Sequence, residues 1–191
     1  MIGGCARHLG MVVEVNEHMN LTRIANPREA AIKHVLDSVL PWRLFEGARR
    51  VLDAGTGPGF PGIPLALMLP ECHVTMAEST GKKARFVEGV IAALALPNAS
   101  VLSERVEDIG RRESYDVVTA RAFAPLPRAL KFLAPLLKKG CRALLYKGPD
   151  VESEIAEASR ELKTLGVRCS IAMRYDLPDG LGTRNILEIA K

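Results

Sequence analysis

One run constrains this chain more than any other: Val51-Leu52-Asp53-Ala54-Gly55-Thr56-Gly57-Pro58-Gly59-Phe60-Pro61-Gly62. An apolar strand closes on an acid, turns through glycines and enters a helix expected from about Ile63 to Leu69. Glycine at alternate positions permits positive φ and close approach of backbone to a ligand, where a Cβ would clash. A strand-loop-helix of this kind, set in a parallel sheet, is where doubly wound folds hold nucleotides.

Two ligand classes compete for the loop. Gly57-Pro58-Gly59-Phe60-Pro61-Gly62 satisfies G-x-G-x-x-G, whose amides hold a pyrophosphate. Yet Pro58, Pro61 and Pro64 carry no N–H, so three donors are missing where phosphates would need them. Read instead as Asp53-x-Gly55-x-Gly57-x-Gly59, the loop suits S-adenosylmethionine. That ligand has an ammonium and a sulfonium, and these want carboxylates and carbonyls. The chain has no G-K-[ST] step, which excludes a Walker-type loop. A plain strand-to-helix turn is the structural alternative.

The elements around the loop alternate. A helical region at the N-terminus leads to a helix over Arg28–Leu40, capped by Asn26-Pro27. Strand 50–54, helix 63–69, strand 73–78, helix 82–95 and strand 99–103 follow. Then come strand 116–120, helix 126–137, strand 141–147 and helix 151–165, with closing strands near 168–175 and 184–190. This order predicts an α/β fold: a mostly parallel seven-stranded sheet, helices on both faces, and an antiparallel hairpin at one edge. Residues 1–191 form one domain, with 1–45 as a short N-terminal helical extension.

Composition narrows the setting. Hydrophobic residues make up 48% and charged residues 25% of the 191, as in globular proteins. No apolar run reaches the ~18 residues of a membrane span, and the start does not read as a signal peptide. Four scattered cysteines, Cys5, Cys72, Cys141 and Cys169, form neither a C-x-x-C pair nor a disulfide framework. A cytoplasmic protein is expected, with no membrane partner and no metal. The net charge of +4 is compatible with a polyanionic partner.

Ligands in such a sheet lie beyond the carboxyl ends of the strands. The first strand delivers Asp53 and Gly55 there; the second delivers Glu78, Ser79 and Thr80. Glu78 suits a ribose diol, or else caps the helix that starts near Gly81. Glu107 and Asp108, after the third strand, could accept from an adenine amine or be solvated helix-start residues. Arg121 ends the fourth strand. It either points over the cleft, as a positioning residue, or forms a structural bridge to Asp53 or Glu107. Lys147-Gly148-Pro149 ends the fifth.

With these residues the chain resembles a known family. The matching runs are Met19-Asn20-Leu21-Thr22, His34-Val35-Leu36-Asp37-Ser38, Asp53 through Pro64, Lys82-Lys83, Thr119-Ala120-Arg121-Ala122-Phe123-Ala124 and Tyr146-Lys147-Gly148. They are similar to the glucose-inhibited division protein B family, the bacterial small-subunit ribosomal RNA guanine-N7 methyltransferases. The resemblance covers about Met19 to Lys191. It implies a Rossmann-like class I methyltransferase fold with S-adenosylmethionine as cofactor. The cofactor would be held at Gly55, Phe60, Glu78 to Thr80, Val106-Glu107 and Arg121, and the loop reading adds Asp53, Gly57 and Gly59 as cofactor-binding residues. Family members usually carry a longer N-terminal helical segment.

The resemblance also implies 16S ribosomal RNA, or the small subunit, as partner. Guanine N7 is an in-plane lone pair that attacks a sulfonium methyl with no proton to remove first. Positioning then outweighs acid–base chemistry, in keeping with histidines (His8, His18, His34, His73) that form no catalytic constellation. His34 is read as a structural residue packing the N-terminal helix on the sheet. RNA phosphates would meet Arg23, Lys82, Lys147 and Arg184, with Lys33 and Lys83 beside them. Phe60, Phe123 or Tyr146 would stack on a base. A monomer suffices. Competing readings are a small-molecule methyltransferase, a nicotinamide-dependent oxidoreductase and a non-catalytic RNA-binding factor.

Overall fold

A computed structural model describes residues 1–24 and 26–191. Seven strands form one sheet in the order β3-β2-β1-β4-β5-β7-β6. They are β1 (Arg50–Ala54), β2 (His73–Ala77), β3 (Ala99–Leu102), β4 (Val117–Arg121), β5 (Arg142–Lys147), β6 (Arg168–Asp176) and β7 (Thr183–Ala190). Strands β1 to β5 pair in parallel, whereas β7 runs antiparallel to both β5 and β6. The expected edge hairpin is there, turning through Pro178–Gly180.

Both faces of the sheet are covered, because strand side chains alternate. Leu52, Val118 and Ala143 point to the side of α6 (Val106–Arg112), α7 (Leu126–Lys138), α8 (Val151–Glu157) and α9 (Ser159–Leu165). Val51, Val117 and Leu144 point to the side of α4 (Gly62–Met68) and α5 (Gly81–Leu94). Helix α7 places Leu126, Leu130, Leu133, Leu136 and Leu137 in the core at helical spacing. Each such leucine stabilises the fold by roughly 1.5–3 kcal/mol. The N-terminal helix α1 (Ile2–Met19) lies against α4 and α5.

Three local features depart from the sequence reading. A helix, α6, fills the stretch between the third and fourth strands, where the sequence offered only a helix start at Glu107 and Asp108 as one alternative and no element was assigned. It carries only two apolar anchors, Val106 and Ile109, and Gly110, where a Cβ would sit 2.9 Å from Leu136 Cγ. The expected helix 151–165 bends at the buried Ala158 (φ −86°, ψ 0°). Its hydrogen bonds nonetheless continue through the bend, from Ala158 N–H to the Glu154 carbonyl and from Leu162 N–H to the Ala158 carbonyl.

The third departure lies in the helix expected over 28–40. It is α2 (Pro27–Ala30), a π-helical stretch over Ala31–Leu36, and α3 (Asp37–Val39). Asn26 caps it as expected, its side chain accepting from Glu29 N–H at 3.0 Å. The wide turn closes with Asp37 N–H donating to the Ile32 carbonyl. Single π turns in α-helices often occur at functional sites. This one sets His34 and Asp37 against the carboxyl end of β4.

Candidate active site

Asp53 organises the glycine loop from beneath. It is fully buried, and its Oδ2 accepts from the Thr56 hydroxyl (2.6 Å) and Gly62 N–H (2.8 Å). Its Oδ1 is buried without a partner among the described residues. Burial raises its pKa to about 6, against the lowering effect of those two donors and of Arg121. Asp53 therefore holds the loop's shape from below and does not line the cleft surface.

The loop's amides settle what the glycines can hold. Gly55 and Thr56 donate to the Ala77 carbonyl, and Gly59 and Phe60 to the Thr56 carbonyl. Gly57 donates to Glu78 Oε2, Gly62 to Asp53, Ile63 to the Gly59 carbonyl and Leu65 to the Pro61 carbonyl. Pro58, Pro61 and Pro64 have none to give. Every N–H from Gly55 to Leu65 is spoken for, so a pyrophosphate finds no donor here. The dinucleotide reading fails on this count.

A phosphate-free cation fits better. Gly55, at φ +70°, is exposed in the cleft, and a Cβ there would lie 2.7 Å from Phe123 Cδ2. Beside it, Gly55, Glu78, Ser79, Val106 and Glu107 line one cavity. Five of the expected cofactor residues thus meet there, two of them carboxylates. Glu78 also accepts Thr80 N–H at 2.8 Å, so it braces the loop and the entry to α5 together. Thr80 precedes α5 on the surface. Gly57 is open on its Cβ side, while at Gly59 a Cβ would press on Ile63 and His8. Gly59 is therefore a packing glycine.

Phe60 is not in the cleft. Only 3% exposed, its ring lies between His8 (centroids 4.4 Å apart) and His34 (4.8 Å), with Arg121 Cζ 5.5 Å from the ring. It cannot stack on a substrate base. His8, to which the sequence assigned no role, is held neutral near pH 7. Its Nε2 lies 2.7 Å from the Pro58 carbonyl and so carries the hydrogen, and burial lowers its pKa to about 4. Helix α1 thereby clamps the loop across fifty positions of sequence.

Arg121 bridges to an unexpected partner. It pairs with neither Asp53 nor Glu107 by hydrogen bond; it reaches the helix over 27–39. Nη1 donates to the Lys33 carbonyl (2.6 Å) and to Asp37 Oδ2 (3.4 Å), and Nη2 to His34 Nδ1 (3.2 Å). Since Nδ1 accepts, the His34 proton sits on Nε2 and is donated to the Thr22 hydroxyl (2.9 Å). Burial and the charge of Arg121 lower the His34 pKa to about 4. His34 thus fastens helix to sheet, as expected of it.

The basic residues divide. Arg23 and Lys82 are exposed. Arg184 lies 3.5 Å from Asp37 Oδ2, and Lys33 pairs with Glu29 at 2.7 Å. Lys147 is only 11% exposed, and its Nζ donates to Glu154 Oε2 (2.6 Å) and to the Ala124 carbonyl (3.0 Å). It is an internal cation of the cleft, in contrast to the phosphate contact expected of it. Tyr146 is buried as well, its hydroxyl donating to the Ser38 carbonyl at 2.8 Å. Among the described residues no group of three or more His, Cys, Asp or Glu could hold a metal, and no helix is long and apolar enough to cross a membrane.

The profile of one protein family, described as rRNA small subunit methyltransferase G, matches residues 4–175. That match begins inside α1, upstream of the Met19 start of the resemblance. A protein of Solibacter usitatus named ribosomal RNA small subunit methyltransferase G is 57% identical over 189 residues, covering 99% of this chain and 90% of that one. One of the same name from Symbiobacterium thermophilum is 42% identical, covering 96% and 79%. Among solved structures, a magnesium protoporphyrin IX methyltransferase from Synechocystis with bound SAH superposes with a TM-score of 0.65 at 20% identity, covering 96% of this chain and 99% of that one. A SAM dependent methyltransferase from Aquifex aeolicus gives 0.64 at 19%, covering 90% and 97%. These two establish the fold.

Proposed function

This chain belongs to the ribosomal RNA small subunit methyltransferase G family, and on that premise we propose that it transfers a methyl group from S-adenosylmethionine to N7 of a guanine in 16S ribosomal RNA. The observation that carries the cofactor half is the loop, whose amides from Gly55 to Leu65 are all consumed or absent. Such a loop suits a ligand with cationic groups and no phosphate. Glu78 and Glu107 supply the charge and the ribose-binding oxygens, Val106 the apolar wall, and Arg121 the orientation of the cleft's far side. When bound, the cofactor contributes an electrophilic sulfonium methyl. The protein contributes position.

Guanine N7 needs no deprotonation before it attacks, so the residues required are those that align and desolvate. The histidines agree with this. His8 and His34 are held neutral and engaged in packing, and neither offers a proton to a substrate. Arg23, Lys82 and Arg184 form the basic rim for phosphate contacts. We read the whole chain as one domain working as a monomer in the cytoplasm, with its first 45 residues forming one wall of the acceptor side.

The test is transfer of labelled methyl from S-adenosylmethionine to three acceptors: naked small-subunit RNA, assembled small subunits and a pool of small metabolites. Label in RNA or subunits is expected. Label confined to metabolites would refute the RNA assignment, and cofactor binding without transfer would leave an assembly factor.

A further inference from the structure

A cavity of about 630 Å³ opens at the carboxyl ends of β4 and β5 and shares Phe123 with the cavity that Gly55 lines. That is within the range of small-molecule pockets and generous for a purine. Its polar groups are few. Lys147 and Glu154 line it, as does Phe123, which also lines the Gly55 cavity.

The pair is not fully used. Glu154 Oε2 accepts from Lys147 Nζ and from Leu126 N–H at 3.0 Å, whereas Oε1 has no partner among the described residues. The side chain is 30% exposed and lines the cavity. Lys147 Nζ carries three hydrogens; two go to Glu154 and the Ala124 carbonyl, which leaves one. One free acceptor and one free donor therefore stand side by side in the cavity.

Aromatic options reduce to one. Phe60 is sandwiched between histidines and Tyr146 is buried against Ser38. Phe123 lines both cavities. The preceding Ala122 has φ +49°, a conformation uncommon for non-glycine residues. Edge-to-face contact with Phe132 at 5.7 Å steadies the ring.

We propose that the Lys147–Glu154 pair, in the cavity that Phe123 also lines, is the element that recognises the target purine as guanine; this rests on the guanine reading above. Guanine presents O6 as acceptor next to N1–H and the N2 amine as donors. Lys147 meets O6, and Glu154 Oε1 meets N1–H and N2–H. Adenine reverses both positions, placing an amine before the ammonium and a lone pair before the carboxylate, and the unpaired groups reject it. N7 lies on the edge beyond O6, outside these contacts. Phe123 supplies a face for stacking.

The full chain loaded with S-adenosylhomocysteine is titrated with GMP and with AMP and followed by NMR. GMP is expected to bind at least about tenfold tighter than AMP. Glu154→Gln and Lys147→Met should bring the two within about twofold, with S-adenosylhomocysteine affinity unchanged. Phe123→Leu should weaken both nucleotides alike. Equal binding of GMP and AMP by the unmutated protein would overturn the proposal, as would retention of the preference by both pair variants. A Lys147→Met protein that keeps the preference but loses salt-dependent RNA affinity would make Lys147 a phosphate contact instead. Methyl transfer to small-subunit RNA is measured on the same preparation. Failed transfer with intact GMP preference would remove the activity and leave the nucleotide site standing.

Discussion

Nη2 of Arg121 donates to Nδ1 of His34 at 3.2 Å, and that contact ties the end of β4 to the N-terminal helices. Around it, Asp37 gathers Arg121, Arg184 and the Tyr175 hydroxyl (2.9 Å) onto one carboxylate that is 2% exposed. Removing that carboxylate strands two arginines in a largely buried place. Asp37→Ala should destabilise the fold by about 3–5 kcal/mol, read as a lower denaturant midpoint at unchanged slope. A loss below about 1 kcal/mol would show that solvent compensates the arginines.

Stability should fall as acid is added, through the histidine stack on Phe60. His8 and His34 have folded pKa values of about 4 against 6.5 unfolded. Their contribution is complete above the unfolded value and is lost as pH falls from 6.5 toward 4. Asp53 acts in the opposite sense. Its folded pKa is about 6, so the folded state takes up a proton first and gains stability below pH 6. Near pH 5 the unfolded chain holds two histidine protons to the folded chain's one on Asp53, a slope of about 1.4 kcal/mol per pH unit. His8→Gln should flatten the pH dependence of stability in that window. An unchanged slope would place the His8 proton equilibrium elsewhere.

Gly55→Asp should abolish cofactor binding while the chain remains folded. A side chain there meets Phe123 and requires φ +70°, and it adds a charge to a loop already flanked by Glu78. Calorimetric titration with S-adenosylmethionine should show at least about a hundredfold loss of affinity, in line with several kcal/mol from strain and steric conflict. Affinity within a few fold of the parent would move the cofactor away from this loop.

Helix α5 opens with Lys82 and Lys83 and has no acid in its first turn, where the helix dipole disfavours cations. A double Lys82→Ala, Lys83→Ala variant should be more stable by about 0.3–1 kcal/mol per residue. It should bind RNA more weakly, with the slope of log affinity against log salt reduced by about 1–2. A stabilised protein whose RNA slope is unchanged would leave these lysines as surface charges.

Much of this was legible in the chain itself. The strands announce themselves as short apolar runs; β1 falls on 50–54 as read, and the prolines foretold the poverty of the loop in donors. Helix α6 showed only its start, at Glu107 and Asp108, because two apolar positions and a glycine give no periodicity to detect. The π turn escaped because a hydrogen bond from i to i+5 leaves no compositional trace. Arg121 was rightly placed at a strand end. Its partners lie 84 to 88 positions away, and a sequence does not say what will cover a strand end. Lys147 was misjudged for the same reason: Glu154, seven positions on, returns over it only once α8 is folded. His8 carried no signal at all, its role being created by α1 packing on a loop fifty residues distant.

The central claim is met most directly by nucleoside analysis. Small-subunit RNA that lacks the modification is incubated with this protein and methyl-labelled S-adenosylmethionine, digested to nucleosides and resolved by mass spectrometry. Label in 7-methylguanosine is the predicted result. Label in any other nucleoside, or none in RNA from protein that binds the cofactor, would contradict it.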